Sequence, residues 1–229
     1  MNSIKRNFLV LILFLVFIIA NSQTHYNSTI YLGAKGGVDM SQVFFNPSVP
    51  QSFKLGFVGG LTFKYIEENH FGIIAELNLE QRGWSENFED APFEYSRTLT
   101  YIQLPLLAHI YFGNERARFF FNAGPEIGLK VGETESSNFD VKNYENIPNF
   151  PNKNRNNRQM LLPAENIVDY GISAGLGTDI FINQKHSFSI EGRFYYGLGN
   201  VLKSGRTEEF SASNSMSIMV TLGYWFRLK

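Results

Sequence analysis

Two glutamates, Glu76 and Glu80, are the first side chains whose pairing could support acid–base chemistry. They lie in a segment where apolar and polar residues alternate, so both point to one face of a predicted strand. Four residues along a strand span roughly 13 Å, whereas a retaining glycosidase holds its two carboxyl groups only about 5 Å apart. We therefore interpret both glutamates as partners in salt bridges and not as a catalytic pair.

The four histidines do not form a catalytic or metal-binding arrangement in the predicted topology. His25 lies in the N-terminal segment, His70 and His186 adjoin short turns, and His109 lies three residues before another short turn. A Ser/His/Asp triad at the outer mouth of a barrel is thus not available. The absence of cysteine also excludes thiolate metal sites, disulfides and lipid attachment at a cysteine. The sequence predicts a protein that is not an enzyme and has no catalytic residue, cofactor or metal site.

The segment from Tyr101 to Val131 shows the pattern that organises the whole chain. In its second arm, Phe119 and Phe121 share one face while Asn122 and Gly124 share the other. A period of two residues predicts a β-strand with one apolar face. The pattern recurs along the chain and predicts eight strands, at residues 30–40, 54–65, 71–82, 101–112, 118–131, 168–182, 187–198 and 215–228.

The predicted connections alternate in length. They are short at 66–69, 113–116 and 183–186, and long at 41–53, 83–97, 132–166 and 199–213. An even strand number with short turns at one end is typical of outer-membrane barrels, although a soluble lipocalin-like barrel, with its apolar face inside, also alternates. The glycines fall mostly on the polar face, which favours the bulky apolar groups lying outside. We therefore predict an all-β fold: an eight-stranded antiparallel up-and-down transmembrane β-barrel, with its apolar face to lipid and a polar, filled lumen.

The polar face of the predicted strands carries both signs of charge in nearly equal number. Charges of both signs can pair inside a narrow lumen, where an unpaired charge is costly. Lys54 and Arg227 lie on the same face near strand ends. The predicted lumen charge network consists of Lys35, Asp39, Lys64, Glu76, Glu80, Arg82, Arg118, Glu126, Lys130, Asp169, Asp179, Glu191 and Arg193.

Aromatic residues on the apolar face indicate where the membrane surfaces lie. A thinner girdle is predicted near the long loops, from Tyr196 with Trp84 and Tyr95. The girdle predicted near the short turns comprises Phe63, Tyr65, Phe71, Phe112, Phe119, Phe188, Tyr224 and Phe226.

The N-terminus has the features of a secretory signal peptide. Lys5 and Arg6 precede an apolar run from Phe8 to Ala20, and Ala20 with Ser22 supplies the small residues of a cleavage site. We predict a signal peptide at 1–22 and one barrel domain at 23–229, located in the cell outer membrane. The formal net charge of −1 gives no electrostatic reason to expect nucleic acid. The expected partners are outer-membrane lipid and, during biogenesis, the barrel-assembly machinery, with the chain as a monomer.

The predicted loop 132–166 is longer than barrel construction requires. Long loops of this kind are usually functional or disordered. Two interpretations remain open, binding of a partner or surface ligand and flexible surface cover. The candidate contacts in this loop are Phe139, Tyr144, Phe150, Lys153, Arg155 and Arg158.

Several segments carry a further signal: YLGAKGGVDMS, GFVGGLTFKY, ELNLEQRG, YIQLPLLAHIYFG, FFFNAGPEIG and GYWFRLK. Together they resemble the PorT-like outer-membrane β-barrel family of Bacteroidetes-type bacteria, and the resemblance covers essentially all of the predicted mature chain. The resemblance implies a possible link to protein secretion. One departure concerns assembly, because such barrels commonly end on an aromatic residue, whereas Phe226 is followed by Arg227, Leu228 and Lys229. The favoured function is a non-catalytic barrel, structural or docking an envelope or secretion partner; the alternatives are a small-solute channel and a soluble lipocalin-like binder.

Overall fold

In the computed structural model, eight of the strands form a closed ring. The structure describes residues 28–89, 91–152 and 155–229, so the predicted signal peptide at 1–22 lies outside the described residues. Two short 3-10 helices, Val141–Asn146 and Arg158–Met160, lie between the sixth and seventh strands. The strands of the described residues are β1 (Thr29–Asn46), β2 (Gln51–Ser52), β3 (Lys54–Glu68), β4 (Phe71–Glu86), β5 (Tyr95–Gly113), β6 (Ala117–Ser137), β7 (Val168–Phe181), β8 (His186–Asn200) and β9 (Ala212–Arg227).

Antiparallel pairing closes the ring without a free edge. β1 pairs with β3 on one side and with β9 on the other, and the β4–β5 ladder completes the circle. β2 pairs only with the end of β4 and lies outside the ring. Closure lets the main-chain polar groups find partners between strands, which a bilayer requires. The predicted all-β, eight-stranded, up-and-down antiparallel barrel is confirmed.

The apolar face of each strand points outward. Phe119, Leu176 and Leu222 are each about two-thirds exposed, at 68%, 70% and 66%, whereas the inward-facing Gln103 and Tyr195 are fully buried. A lipocalin-like barrel would show the reverse arrangement, so the soluble alternative is wrong. Within the described ranges, no helix has the length and apolar character needed to cross a membrane.

Several strands are longer than predicted at the long-loop end. The β5–β6 ladder continues to Tyr95 and Ser137, so the loop predicted at 132–166 begins only after Ser137. This extension was not predicted because residues 96–98 and 133–137 are polar on both faces. These strand ends extend beyond the apolar band, so their outer face does not contact lipid and need not be apolar.

The structure agrees with the aromatic girdle predicted near the short turns but only in part with the one predicted near the long loops. Phe112 and Phe119 at the short-turn end are exposed on the outer face, and Tyr196 faces outward at the other end. Trp84 and Tyr95 were wrongly assigned, since both are buried inside the barrel. Trp84 continues the even-numbered positions of β4 that face the lumen, and Tyr95 continues the odd-numbered positions of β5.

Leu106→Arg tests the outward orientation. Leu106 lies on the outer face near the middle of β5, so an arginine there should cost about 2–4 kcal/mol of unfolding free energy, as charged residues do at a bilayer midplane. The matched control is Val131→Arg, near the end of the apolar band, where the cost should fall to about 0–1 kcal/mol. Urea unfolding in lipid vesicles measures both. Equal costs at the two positions would contradict the proposed band.

Candidate functional site: the lumen charges and the outer cap

A charge network crosses the lumen in the half nearer the short turns. Glu76 on β4 accepts hydrogen bonds from Lys35 Nζ on β1 (2.6 Å) and from both terminal nitrogens of Arg193 on β8 (2.7 and 2.8 Å). Arg193 also donates to Glu191 (2.8 Å). All four side chains are buried. The bonds connect strands on opposite sides of the ring, so the network fills the lumen and ties its walls together.

A second pair lies closer to the short turns. Lys64 Nζ on β3 is 2.6 Å from Asp179 Oδ2 on β7. The ammonium group also lies 4.2 Å from the ring centroid of Trp225. Both charged groups are buried, and the cation–π contact adds to the attraction that holds Lys64 in place.

The outer half of the lumen is organised around one arginine. The Arg82 guanidinium lies 3.0 Å from Asp169 Oδ2 and 3.1 Å from Glu80 Oε1. It also stacks on the rings of Tyr101 and Tyr195, with centroid distances of 4.9 and 4.1 Å. Arg82 is therefore fixed by two carboxylates and two aromatic rings.

Two further carboxylates share this region without a cation of their own. Glu126 accepts a hydrogen bond from the Ser173 hydroxyl (2.5 Å) and interacts electrostatically with Arg82. Asp39 is fully buried and forms no salt bridge within the described residues; the groups that act on its carboxylate are the Ser41 and Ser217 hydroxyls and the charge of Arg82. Four acidic side chains thus surround one guanidinium. The near balance of charge expected over the whole lumen does not hold locally.

The two remaining members of the predicted network lie at opposite ends of the barrel. Lys130 is at the long-loop end, where its ammonium donates to Glu133 (2.8 Å) and to the main-chain oxygen of Ala164. Arg118 is at the short-turn end and stacks on the rings of Tyr111 and Phe181. Neither residue belongs to the charge clusters in the middle of the lumen.

The long loops form an apolar layer over the outer mouth, which we call the outer cap: the described residues of segments 87–94, 138–167 and 201–211. Its core packs loop side chains against the inward-facing strand ends Phe45 and Trp84. Phe45 contacts Trp84 edge-on (5.4 Å) and Phe210 (5.0 Å). The cap therefore closes the mouth with packed apolar groups.

The aromatic residues predicted as loop contacts lie inside this cap. Tyr144 and Phe150 are buried, and Phe139 is half-buried. The Phe150 ring lies 4.8 Å from Phe93, 5.1 Å from Phe139 and 5.3 Å from Tyr144. The contact role of these three rings stays a prediction, although they bury one another and so leave little surface for a partner. Loop aromatics show no strand or helix period, so the sequence did not reveal their burial.

A buried ion pair fastens the cap to the barrel wall. Arg155 pairs with Glu86 at the end of β4, and its guanidinium lies over the Phe88 ring (4.3 Å). Glu86 also accepts hydrogen bonds from Gln159 and Trp84, each 3.0 Å long. Burial raises the pKa of Glu86 above its ordinary value, against the opposing effect of these donors. Arg155 is therefore a structural anchor of the cap.

A second anchor joins the cap to β5 and β6. Arg97 donates to the main-chain oxygen of Leu162 (2.6 Å) and to Glu133. Partial burial opposes ionisation of Glu133, but hydrogen bonds from Lys130 and Arg97 outweigh it and hold its pKa below the ordinary value. Arg158 is the predicted loop contact that remains exposed, 3.8 Å from Glu209, while Lys153 lies outside the described residues.

The described histidines make local contacts. His109 Nδ1 is 2.7 Å from Asn122 Oδ1 inside the lumen, and His186 Nδ1 is 2.6 Å from the Tyr224 hydroxyl. His70 Nδ1 is 2.9 Å from the main-chain oxygen of Tyr111. Across residues 28–89, 91–152 and 155–229, no three His, Cys, Asp or Glu side chains are arranged to hold a metal ion.

Comparison with known proteins agrees with this architecture. The profile of a family described as "Outer membrane protein beta-barrel domain" matches residues 20–203. The chain belongs to this family. As an outer membrane barrel it lies in the outer membrane, where the short turns face the periplasm and the long loops face outward. The match is to the general barrel family and includes no feature specific to PorT-like proteins.

Solved structures of bacterial barrels are similar in fold at low identity. Neisserial surface protein A is 9% identical, with a TM-score of 0.46 over 86% of this chain and 98% of that one. OprG from Pseudomonas aeruginosa is 13% identical, with a TM-score of 0.47 over 87% and 95%. Outer Membrane Protein W of E. coli is 17% identical, with a TM-score of 0.41 over 89% and 100%. No curated protein matches the chain.

Paired substitutions in this outer membrane barrel test the local charge imbalance. Glu76→Gln should cost about 3–5 kcal/mol of unfolding free energy, because it leaves Lys35 and Arg193 buried without their shared partner. Asp39→Asn removes a buried carboxylate that has no salt bridge within the described residues and should stabilise the barrel by roughly 1–3 kcal/mol. Urea unfolding in lipid vesicles at one pH compares the two. If Asp39→Asn lowered the free energy of unfolding as much as Glu76→Gln does, the Asp39 charge would have to be balanced by its surroundings.

Proposed function

We propose that the protein is a non-catalytic, non-conducting outer membrane barrel that carries a packed outer cap for docking a partner at the cell envelope. The observation that supports this most directly is the filling of the lumen at three levels. Trp225 and Phe120 belong to an apolar cluster near the short turns, the Glu76 network crosses the middle, and the outer cap covers the far end. A solute would have to displace all three layers in turn.

The docking part of the proposal rests on the outward surface of the cap. Most of the aromatic side chains lie in its core, so a partner would meet mainly polar groups. A cavity of about 430 Å³ opens there, lined in part by Asn152, Asn156 and Arg158 together with Tyr144 and Glu145. Amide and guanidinium groups offer several hydrogen-bond donors on a base that Arg155 fastens to the barrel. Loops held by a rigid scaffold commonly carry binding functions.

A secretion-apparatus partner remains a prediction from the PorT-like resemblance. The family match is broader than that group and names no partner. The small-solute channel is the competing function, and the filled lumen is the feature that argues against it.

Electrical recording separates these two functions. The intact protein in planar bilayers should show no stable open-channel current. A variant lacking residues 138–157 loses Tyr144, Phe150 and Arg155 from the cap, yet the Glu76–Arg193 network should still block the lumen. This variant should also stay silent. Porin-sized currents from the intact protein would contradict the proposal, while currents from the deletion alone would make the cap the gate of a channel.

Site-specific cross-linking tests docking at the cap. A photo-reactive side chain at Asn156 should yield an adduct in intact cells, and Arg158→Glu should reduce that adduct at least tenfold, because it reverses an exposed charge beside the cavity. The matched control, Lys185→Glu, makes the same charge change at an exposed short-turn position and should leave the adduct unchanged. If the adduct survives Arg158→Glu, the cap cavity is not the docking surface.

A further inference from the structure

A cavity of about 450 Å³ opens at the short-turn end of the barrel, opposite the outer cap. We call it the periplasmic vestibule; its walls include Tyr31, Glu115, Arg116, Arg118, Phe181 and Arg227. Its volume lies in the range of small-molecule sites, about 300–1,000 Å³. Three guanidinium groups and one carboxylate line it, so the cavity has an excess of positive charge.

Arg118 is held in a conformation that suits an anionic ligand. Its guanidinium lies over the rings of Tyr111 (5.0 Å) and Phe181 (4.7 Å). Stacking occupies the faces of the guanidinium and leaves its N–H donors along the edge, where one of them interacts with the Tyr31 hydroxyl at the wall of the vestibule. The carboxylate next to it in the strand register is Asp179, whose Oδ2 accepts from Lys64 (2.6 Å). Within the described residues Arg118 forms no salt bridge, so its charge lacks a direct counter-ion.

The other two arginines complete the wall. The main-chain oxygen of Arg116 accepts from Phe181 N (2.9 Å), which fixes the turn, while the exposed Arg116 side chain forms no salt bridge within the described part of the chain. Arg227 donates from Nε to the Lys229 main-chain oxygen (3.1 Å) and from Nη2 to Thr29 Oγ1 (3.4 Å). These two contacts orient Arg227 and involve no Asp or Glu side chain.

We propose that the periplasmic vestibule binds a small anion that carries phosphate groups. Guanidinium groups present paired N–H donors that match the oxygens of phosphate, and several of them in one cavity suit a compact group with more than one negative charge. The phosphate can come from a soluble compound of the periplasm or from a phospholipid headgroup of the inner leaflet. This proposal does not depend on docking at the outer cap, because the two sites lie at opposite ends of a filled lumen.

Titration with inorganic pyrophosphate tests the site on the full-length barrel in zwitterionic detergent. Isothermal calorimetry should detect binding to the wild type, and Arg118→Gln should weaken it at least tenfold. Arg158→Gln is the matched control, because it removes one arginine charge at the outer cap and should leave the affinity unchanged. Heat-modifiable migration on a gel confirms that each variant is folded. Arg116→Gln provides a second test, since that exposed side chain forms no hydrogen bond or salt bridge within the described residues.

The outcomes separate the proposal from a general attraction of anions. No binding to the wild type, or equal weakening by Arg118→Gln and Arg158→Gln, would overturn it. A loss confined to Arg118→Gln and Arg116→Gln supports it. Repeating the titration in nanodiscs then identifies the source of the phosphate: competition by anionic phospholipid assigns the site to headgroups, and unchanged affinity assigns it to a soluble compound.

Discussion

Closure of the strand ring is the constraint on which the rest of this structure depends. A bilayer offers no partners for main-chain polar groups, so the ladder must return to its first strand. A ring of only eight strands encloses a space that side chains fill completely. Glycine makes this possible at the tightest points. A Cβ at Gly177 would lie 2.5 Å from the Phe120 ring, and a Cβ at Gly171 would lie 2.7 Å from the Tyr195 hydroxyl oxygen. The large inward side chains therefore need glycine opposite them.

A lumen filled with polar side chains must satisfy their charges internally. The Glu76–Arg193 network does so with bonds that span the ring, and a charge removed from it would leave its partners buried and alone. Around Arg82 the compensation is incomplete, since four carboxylates share one guanidinium and Asp39 forms no salt bridge in the described part of the chain. A buried carboxylate without a cation of its own is costly. The charge cluster around Arg82 in the outer half of the lumen therefore contributes less to the stability of the barrel than the Glu76–Arg193 network does.

The sequence was sufficient for the fold because a period of two runs through the part of each strand that crosses the apolar band. The alternation of side chains along each strand was enough to place Glu76 and Arg193 inside the barrel. It could not show that they pair, because contacts across the lumen depend on how far each strand is staggered against strands that are not its neighbours. Lys64 and Asp179 are 115 residues apart on β3 and β7, and nothing local links them. The cap was missed for a related reason: the burial of Phe150 depends on rings from other loops.

The two ends of the barrel differ in a way that follows from their connections. Long loops can bring enough apolar side chains over the mouth to build a second core, and Glu86 with Arg155 fastens that core to the wall. Turns of a few residues supply no such cover, so the short-turn end stays open as a vestibule whose arginines remain in contact with water. Between them, side chains of the described strands fill the lumen. Each end therefore acts as a separate surface, and any coupling between the two would have to pass through the Glu76–Arg193 bonds that hold the walls in register.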